Sequence, residues 1–150
     1  YQLKNAPVPN DRIWAARALK ETRSTKKIHS ALVEMLSAEP KWYVRREIVN
    51  TYQSLKPRNG AADLMAAYDG QDDRVKRAII SALREYETDD VKSFLLDVIE
   101  NEQNDYLVSS ALYALIKIDL DAAKEKFDWA MEQESHSETI RSTALFILTE

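Results

Sequence analysis

Hydrophobic and polar residues alternate along this chain with the period of an α-helix, and the pattern returns five times. From each starting position, mainly apolar residues follow at offsets of 4, 5, 7 and 8, which lie on one helix face. The starting positions are Asp11, Val44, Val75, Leu107 and Ile140, of which only Asp11 is polar. Their spacings are 33, 31, 32 and 33 residues. A nearly constant period of this length indicates a helical repeat protein.

A second set of apolar stripes fills the intervals between these helices. The stripes span residues 28–36, 64–68, 91–99 and 123–131, so each repeat is predicted to be a helical hairpin. Short polar residues before the helices are predicted to cap the first amides: Ser24-Thr25, Asp72-Asp73, Asp89-Asp90, Asn104-Asp105 and Ser137. One hairpin cannot bury both its apolar faces, so neighbouring hairpins must stack.

The predicted fold class is therefore all-α, an α-α superhelix or solenoid of about four and a half helical hairpins. We expect a single repeat domain over residues 1–150, with units that start near residues 10, 42, 72, 104 and 137. Two glycines and four prolines are few for an all-β chain, which agrees with this class. The last unit lacks a second helix, and we interpret the chain as a fragment of a longer one.

The repeat carries an eight-residue motif. Its first residue is acidic, its third is aliphatic and its fourth is basic, and its seventh and eighth are small or apolar. It reads Asp73-Arg74-Val75-Lys76-Arg77-Ala78-Ile79-Ile80 and Glu138-Thr139-Ile140-Arg141-Ser142-Thr143-Ala144-Leu145. This motif resembles HEAT repeats of the short, phycobilisome-lyase-like type. The Thr-Pro-Leu-His signature of ankyrin repeats is absent, as are the Trp, Gly and Tyr of tetratricopeptide repeats at their fixed offsets.

A narrower resemblance lies in the first twenty residues. Its segments are Tyr1-Gln2-Leu3-Lys4-Asn5-Ala6, Asp11-Arg12 and Ala15-Ala16-Arg17-Ala18-Leu19. They resemble the start of the C-terminal HEAT-like region of bacterial zinc aminopeptidases of the aminopeptidase N-like family. The resemblance implies a non-catalytic scaffold that packs beside a catalytic domain and shapes its peptide-substrate cavity. It also implies that zinc belongs to the parent chain, because the His-Glu-x-x-His motif of that family does not occur here.

Little in the sequence suggests chemistry of its own. His29 and His136 lie three repeats apart, and the chain has no cysteine, so a zinc site is unsupported. The acidic pairs each open a helix, where carboxylates cap amides and meet the positive end of the helix dipole. We predict no catalytic residue, no metal ligand and no cofactor in this chain. No apolar run approaches the roughly 18 residues that suggest a membrane span.

Basic residues recur one position after the repeat start in four units: Arg12, Arg45, Lys76 and Arg141. In a stack they would form a ladder along one ridge. The ladder has two interpretations. The basic side chains contact a partner, for example its phosphate groups, or they form ion pairs with acids one repeat away, such as Asp73, Asp105 and Glu138. Trp42 and Tyr43, just before the second unit's apolar start, are candidates for exposed aromatic contacts.

Charge is unevenly distributed. Residues 1–58 hold 12 Lys and Arg against 5 Asp and Glu, and residues 59–150 hold 9 against 20. A basic half beside an acidic half suits docking on a larger partner domain or on an anionic ligand at the N-terminal end. The same asymmetry is equally compatible with solvated faces that have no binding role. Three hypotheses follow: an aminopeptidase scaffold that packs on the rest of its own chain, a free-standing module that binds a protein or peptide partner, and a nucleic-acid-binding protein. A net charge of −4 disfavours the third.

Overall fold

The computed structural model describes residues 1–150, and helix is their only regular secondary structure. The chain divides into two compact units, residues 1–85 and 86–150. The division falls inside the predicted third hairpin, between its two helices. A single repeat domain over residues 1–150 stays a prediction, and the two units are described separately.

The first unit consists of six helices. They are α1 (Gln2–Asn5), α2 (Pro9–Leu19), α3 (Lys26–Ala38), α4 (Trp42–Leu55), α5 (Gly60–Ala66) and α6 (Asp73–Leu83). Helices α2, α4 and α6 are the first helices of successive repeats, and α4 packs against both of the others. Helices α3 and α5 pack on α4 as second helices. Val44, Ile48 and Val49, at offsets 0, 4 and 5 of α4, are fully buried.

The second unit is built around one central helix. Its elements are α7 (Asp89–Asn101), α8 (Asp105–Ile118), α9 (Leu120–Glu125), α10 (Phe127–Glu132), α11 (Thr139–Ala144) and two 3-10 turns, His136–Glu138 and Leu145–Leu148. Helix α8 packs against α7, α9 and α11. Its residues Ala111, Leu112 and Leu115 are fully buried, as the apolar offsets predict. The prediction of an all-α fold is confirmed.

Two predicted second helices differ from the structure. The stripe at residues 123–131 is divided between α9 and α10, with Lys126 at the junction. Ala123 and Ala130 are fully buried, but Phe127 is only half-buried, so the apolar face is narrower than expected. In the second hairpin, Tyr68 is buried beyond the end of α5.

Helix capping follows the predicted residues in three places. The side chains of Thr25, Asp72 and Asn104, all predicted cap residues, accept hydrogen bonds from first-turn amides of α3, α6 and α8. Asp89-Asp90 was the wrong choice for α7, because Thr88 has the extended backbone that a cap requires and accepts the amide of Val91 at 3.3 Å. Asp89 and Asp90 lie in the first turn and are exposed.

The predicted cap at Ser137 was also wrong. Ser137 has left-handed backbone geometry, with φ of 53°, and its side chain caps nothing. The hydroxyl of Ser135 accepts the amide of Ile140 at 3.2 Å instead. The last first-type helix therefore begins from a strained turn rather than from an ordinary cap.

Candidate interaction surfaces

Arg12 is used inside the fold. It lies in α2 and forms a two-pronged ion pair with Glu39, with Nε–Oε2 at 2.6 Å and Nη2–Oε1 at 2.9 Å. Their side chains are only 11% and 1% exposed. Arg12 Nη1 also donates to the carbonyl of Ala6 at 2.8 Å. Arg12 thus links the start of α2 to the loop between α3 and α4, and offers little charge to solvent.

The carboxylate of Glu39 is held in its charged form. Burial raises the pKa of Glu39, but hydrogen bonds from Arg12 and from the Lys41 amide, with the charges of Arg12 and Arg45, outweigh burial. The pKa of Glu39 therefore lies below its ordinary value. The Lys41 amide is 3.0 Å from Oε1, so the same carboxylate also satisfies backbone at the start of α4.

The other members of the predicted ladder have different surroundings. Arg45 is half-buried, and its Nε is buried without a hydrogen-bond partner. Lys76 Nζ lies 4.8 Å from the centre of the Tyr68 ring. Arg141 pairs with Glu138 of its own repeat at 2.9 Å.

The interpretation of the ladder as pairing with acids one repeat away, such as Asp73, Asp105 and Glu138, does not describe Arg12 and Arg141, because these residues pair with Glu39 and Glu138 of their own repeats. Asp105 instead accepts the amide of His136 at 2.7 Å. Partner contact by the four basic residues stays a prediction.

Trp42 and Tyr43 are half-buried. Two arginine side chains lie near the Trp42 ring. The guanidinium carbon of Arg74 lies 4.4 Å from the centre of its ring, and that of Arg46 lies 5.4 Å away. The Tyr43 ring meets Trp42 edge-on, with centroids 5.7 Å apart. We call Trp42, Arg46 and Arg74 the Arg–Trp cluster. It lies where α4 and α6 begin, and a contact role for Trp42 and Tyr43 stays a prediction.

Trp14 is an exposed aromatic residue that the sequence did not single out. It is 66% exposed on α2, with the Arg17 guanidinium 5.6 Å from its ring centre. The signal was present, because Trp14 stands three positions after Asp11, outside the apolar offsets of the repeat.

An open groove of about 940 Å³ lies between α1, α2 and α3. Its apolar lining consists of Leu3, Ala15, Ala18, Leu19, Ile28 and Ala31. Lys4 of α1 and Glu34 of α3 both line the groove and form an ion pair with each other. We call this feature the N-terminal groove.

The two units carry opposite charge. The first holds 16 Lys and Arg against 10 Asp and Glu, a net charge of +6. The second holds 5 against 15, a net charge of −10. Much of the negative charge lies in first turns and loops, as at Asp89 and Asp90, which are exposed.

The second unit also exposes apolar side chains at its last 3-10 turn. Leu145, Phe146 and Leu148 are 47%, 50% and 68% exposed. The Tyr113 ring packs on one side of Phe146, with centroids 5.8 Å apart.

Each of the two histidines contacts a neighbouring side chain of the fold. His29 Nε2 is 2.6 Å from the Ser24 hydroxyl, which itself donates to the carbonyl of Leu55. The His136 ring packs near Tyr106, with centroids 5.8 Å apart. No group of three or more His, Asp or Glu side chains is arranged to hold a metal ion. None of the helices has the length and apolar character needed to cross a membrane.

Stacked helical hairpins of about 32 residues define a helical-repeat protein. The HEAT repeats family matches residues 29–116, more than half of the chain. The chain therefore belongs to the HEAT repeat family, and the predicted resemblance to HEAT repeats is confirmed. The match begins after residues 1–19, so it gives no support to the aminopeptidase resemblance of that segment. No curated protein matches the chain.

Proposed function

We propose that this helical scaffold docks on another protein domain through the N-terminal groove. HEAT repeats make the chain a helical scaffold or protein-interaction module. The observation that carries the proposal is the groove itself, which leaves apolar side chains of α2 and α3 partly open to solvent. Leu19 and Ile28 are only half-buried there. Covering such surface releases about 25 cal/mol per Å² of apolar area.

The finer proposal is that the docked domain is the catalytic domain of a zinc aminopeptidase. It is supported by residues 1–19, which carry the aminopeptidase resemblance and supply α1 and α2, two of the three walls of the groove. In that case zinc belongs to the docked domain and this chain supplies no ligand. The alternative is a separate protein partner. Nucleic-acid binding through the basic ladder has less support, since Arg12 is sequestered by Glu39.

The sequence of the complete gene separates the two versions. A His-Glu-x-x-His motif with a glutamate about twenty residues further on, upstream of Tyr1, would support the aminopeptidase version. A complete gene of several hundred codons without that motif would refute it, and would leave docking on a separate protein as the version to test.

Site-specific cross-linking tests the docking itself. A benzophenone amino acid at Ser30, an exposed residue that lines the groove, should cross-link to one protein segment in the cells that make the full-length protein. The substitution Ala18→Glu should abolish that cross-link, because it places a charge against the apolar wall. Ala62→Glu changes an exposed alanine of α5 outside the groove and should leave it intact. Equal cross-linking in both variants would contradict the proposal.

A further inference from the structure

We infer that the Arg–Trp cluster, with Arg77 beside it, is a second docking site that binds an acidic peptide segment of a protein partner. The cluster joins the first turns of two stacked helices, α4 and α6. It contains none of the residues that line the N-terminal groove. The inference therefore goes beyond the proposed function and can fail or succeed independently of it.

Stacking on Trp42 holds the two guanidinium groups in place. The Arg74 carbon is 4.4 Å and the Arg46 carbon 5.4 Å from the ring centre, both within the range of a cation–π contact. A guanidinium held by such a contact keeps its N–H donors for a carboxylate. The side-chain entropy that an isolated surface arginine loses on binding is thereby partly lost already in the free protein.

The cationic charge of this surface is mostly unpaired. Arg46 and Arg77 are exposed and take part in no ion pair. The nearest carboxylate oxygen to Arg74 is that of Asp72, at 3.9 Å, too far for a hydrogen bond. Asp72 accepts the backbone amide of Arg74 at 2.9 Å instead, as the cap of α6. Arg77 stands one turn after Arg74, so the two side chains are neighbours on α6.

The chemistry of these groups selects the ligand. Arginine binds carboxylates through two parallel N–H donors, and several arginines in a small area favour several carboxylates on one short segment. The half-buried carboxylate of Asp72, 3.9 Å from Arg74, and the exposed carboxylate of Asp73 would repel a continuous phosphate backbone. The net charge of −4 also disfavours nucleic-acid binding by the chain as a whole. An acidic peptide therefore fits better than RNA or DNA.

Fluorescence anisotropy with a fluorescein-labelled poly-glutamate peptide tests the site in the intact chain. The double variant Arg46→Gln/Arg74→Gln should weaken binding about tenfold or more, since it removes two charge-assisted contacts. The matched control Arg23→Gln/Arg58→Gln removes two exposed arginines elsewhere in the first unit and should weaken binding less than about threefold. Ala18→Glu, in the N-terminal groove, should leave peptide affinity within about twofold.

A single substitution separates binding from folding. Arg77→Gln alters an exposed residue that takes part in no ion pair, so the chain should fold normally and still bind the peptide about threefold more weakly. Equal losses in the double variant and its control would overturn the inference in favour of non-specific attraction. The absence of measurable peptide binding would also overturn it. So would tighter binding of a labelled single-stranded or duplex DNA at the same salt concentration, which would make the surface a nucleic-acid site.

Discussion

Replacing Arg12 by Met removes the cation from the Arg12–Glu39 pair and keeps an unbranched side chain in its place. Glu39 would lose both hydrogen bonds of the pair and keep only the Lys41 amide at 3.0 Å. The two side chains are 11% and 1% exposed, so solvent cannot replace the lost donors. Removing one partner of such a buried pair costs about 3 to 5 kcal/mol. Typical stabilities of about 0.05 to 0.15 kcal/mol per residue make this a large part of the unit's total.

Acid should reduce this cost. In the wild type the pKa of Glu39 is lowered, so its stabilisation is fully present above the pKa of the unfolded chain. It is lost as the pH falls through the lower folded-state value. In Arg12→Met only the Lys41 amide and the charge of Arg45 still oppose the effect of burial on the pKa of Glu39, and protonation of Glu39 then relieves the buried charge. The difference in unfolding free energy between wild type and variant should therefore shrink as the pH falls below about 5.

Urea unfolding followed by circular dichroism at neutral and acidic pH measures both effects. Arg23→Met, at an exposed position without an ion pair, is the matched control and should change the unfolding free energy by less than about 0.5 kcal/mol. A loss below about 1 kcal/mol for Arg12→Met at neutral pH would refute the structural role of the pair. A loss that stayed constant down to acidic pH would refute the assignment of that role to the Glu39 charge.

Two further substitutions test local backbone features by the same unfolding measurement. Thr88→Ala should cost about 1 kcal/mol by removing the cap of α7, whereas Asp90→Ala in the exposed first turn should cost less than about 0.5 kcal/mol; equal costs would contradict the cap at Thr88. Gly70→Ala should cost about 1 kcal/mol through its φ of +72° alone, because an added Cβ meets nothing within 4 Å; a more stable variant would show that this left-handed backbone is not maintained.

The helices that carry the repeat were predictable because burial repeats with them. Val75, Ile79 and Leu83 of α6 are all fully buried, as their offsets require. Asp11 of α2 is the one polar residue at the first position of the repeat, and it is exposed where the corresponding residues of the other repeats are buried. A face that contacts its neighbour at the same offsets in every unit leaves a periodic trace in a single sequence.

Contacts between helices left no such trace. Arg12 and Glu39 are 27 residues apart, and nothing local relates them, because their meeting depends on how α2 sits against the loop before α4. Likewise, the choice of Thr88 over Asp89 depends on which residue has extended backbone, and both are good cap residues. Only part of the Arg–Trp cluster could be predicted from the sequence. Trp42 was named as a candidate contact, but its partner Arg74 comes from the next repeat.

The contacts that join successive helices have a consequence for how the chain folds. Arg12 and Glu39 are separated by 27 residues in the sequence. The Thr51 hydroxyl donates to the Ala16 carbonyl across 35 residues, and the hydroxyls of Ser109 and Thr143 meet across 34 residues. Closing a chain loop costs only about 0.6 kcal/mol more for each doubling of its length, so these closures have nearly equal entropic costs. These contacts join neighbouring repeats, so their formation does not depend on segments far away in the sequence. Each unit can therefore grow hairpin by hairpin from any starting point, at the microsecond-to-millisecond rates of helical proteins with local contacts.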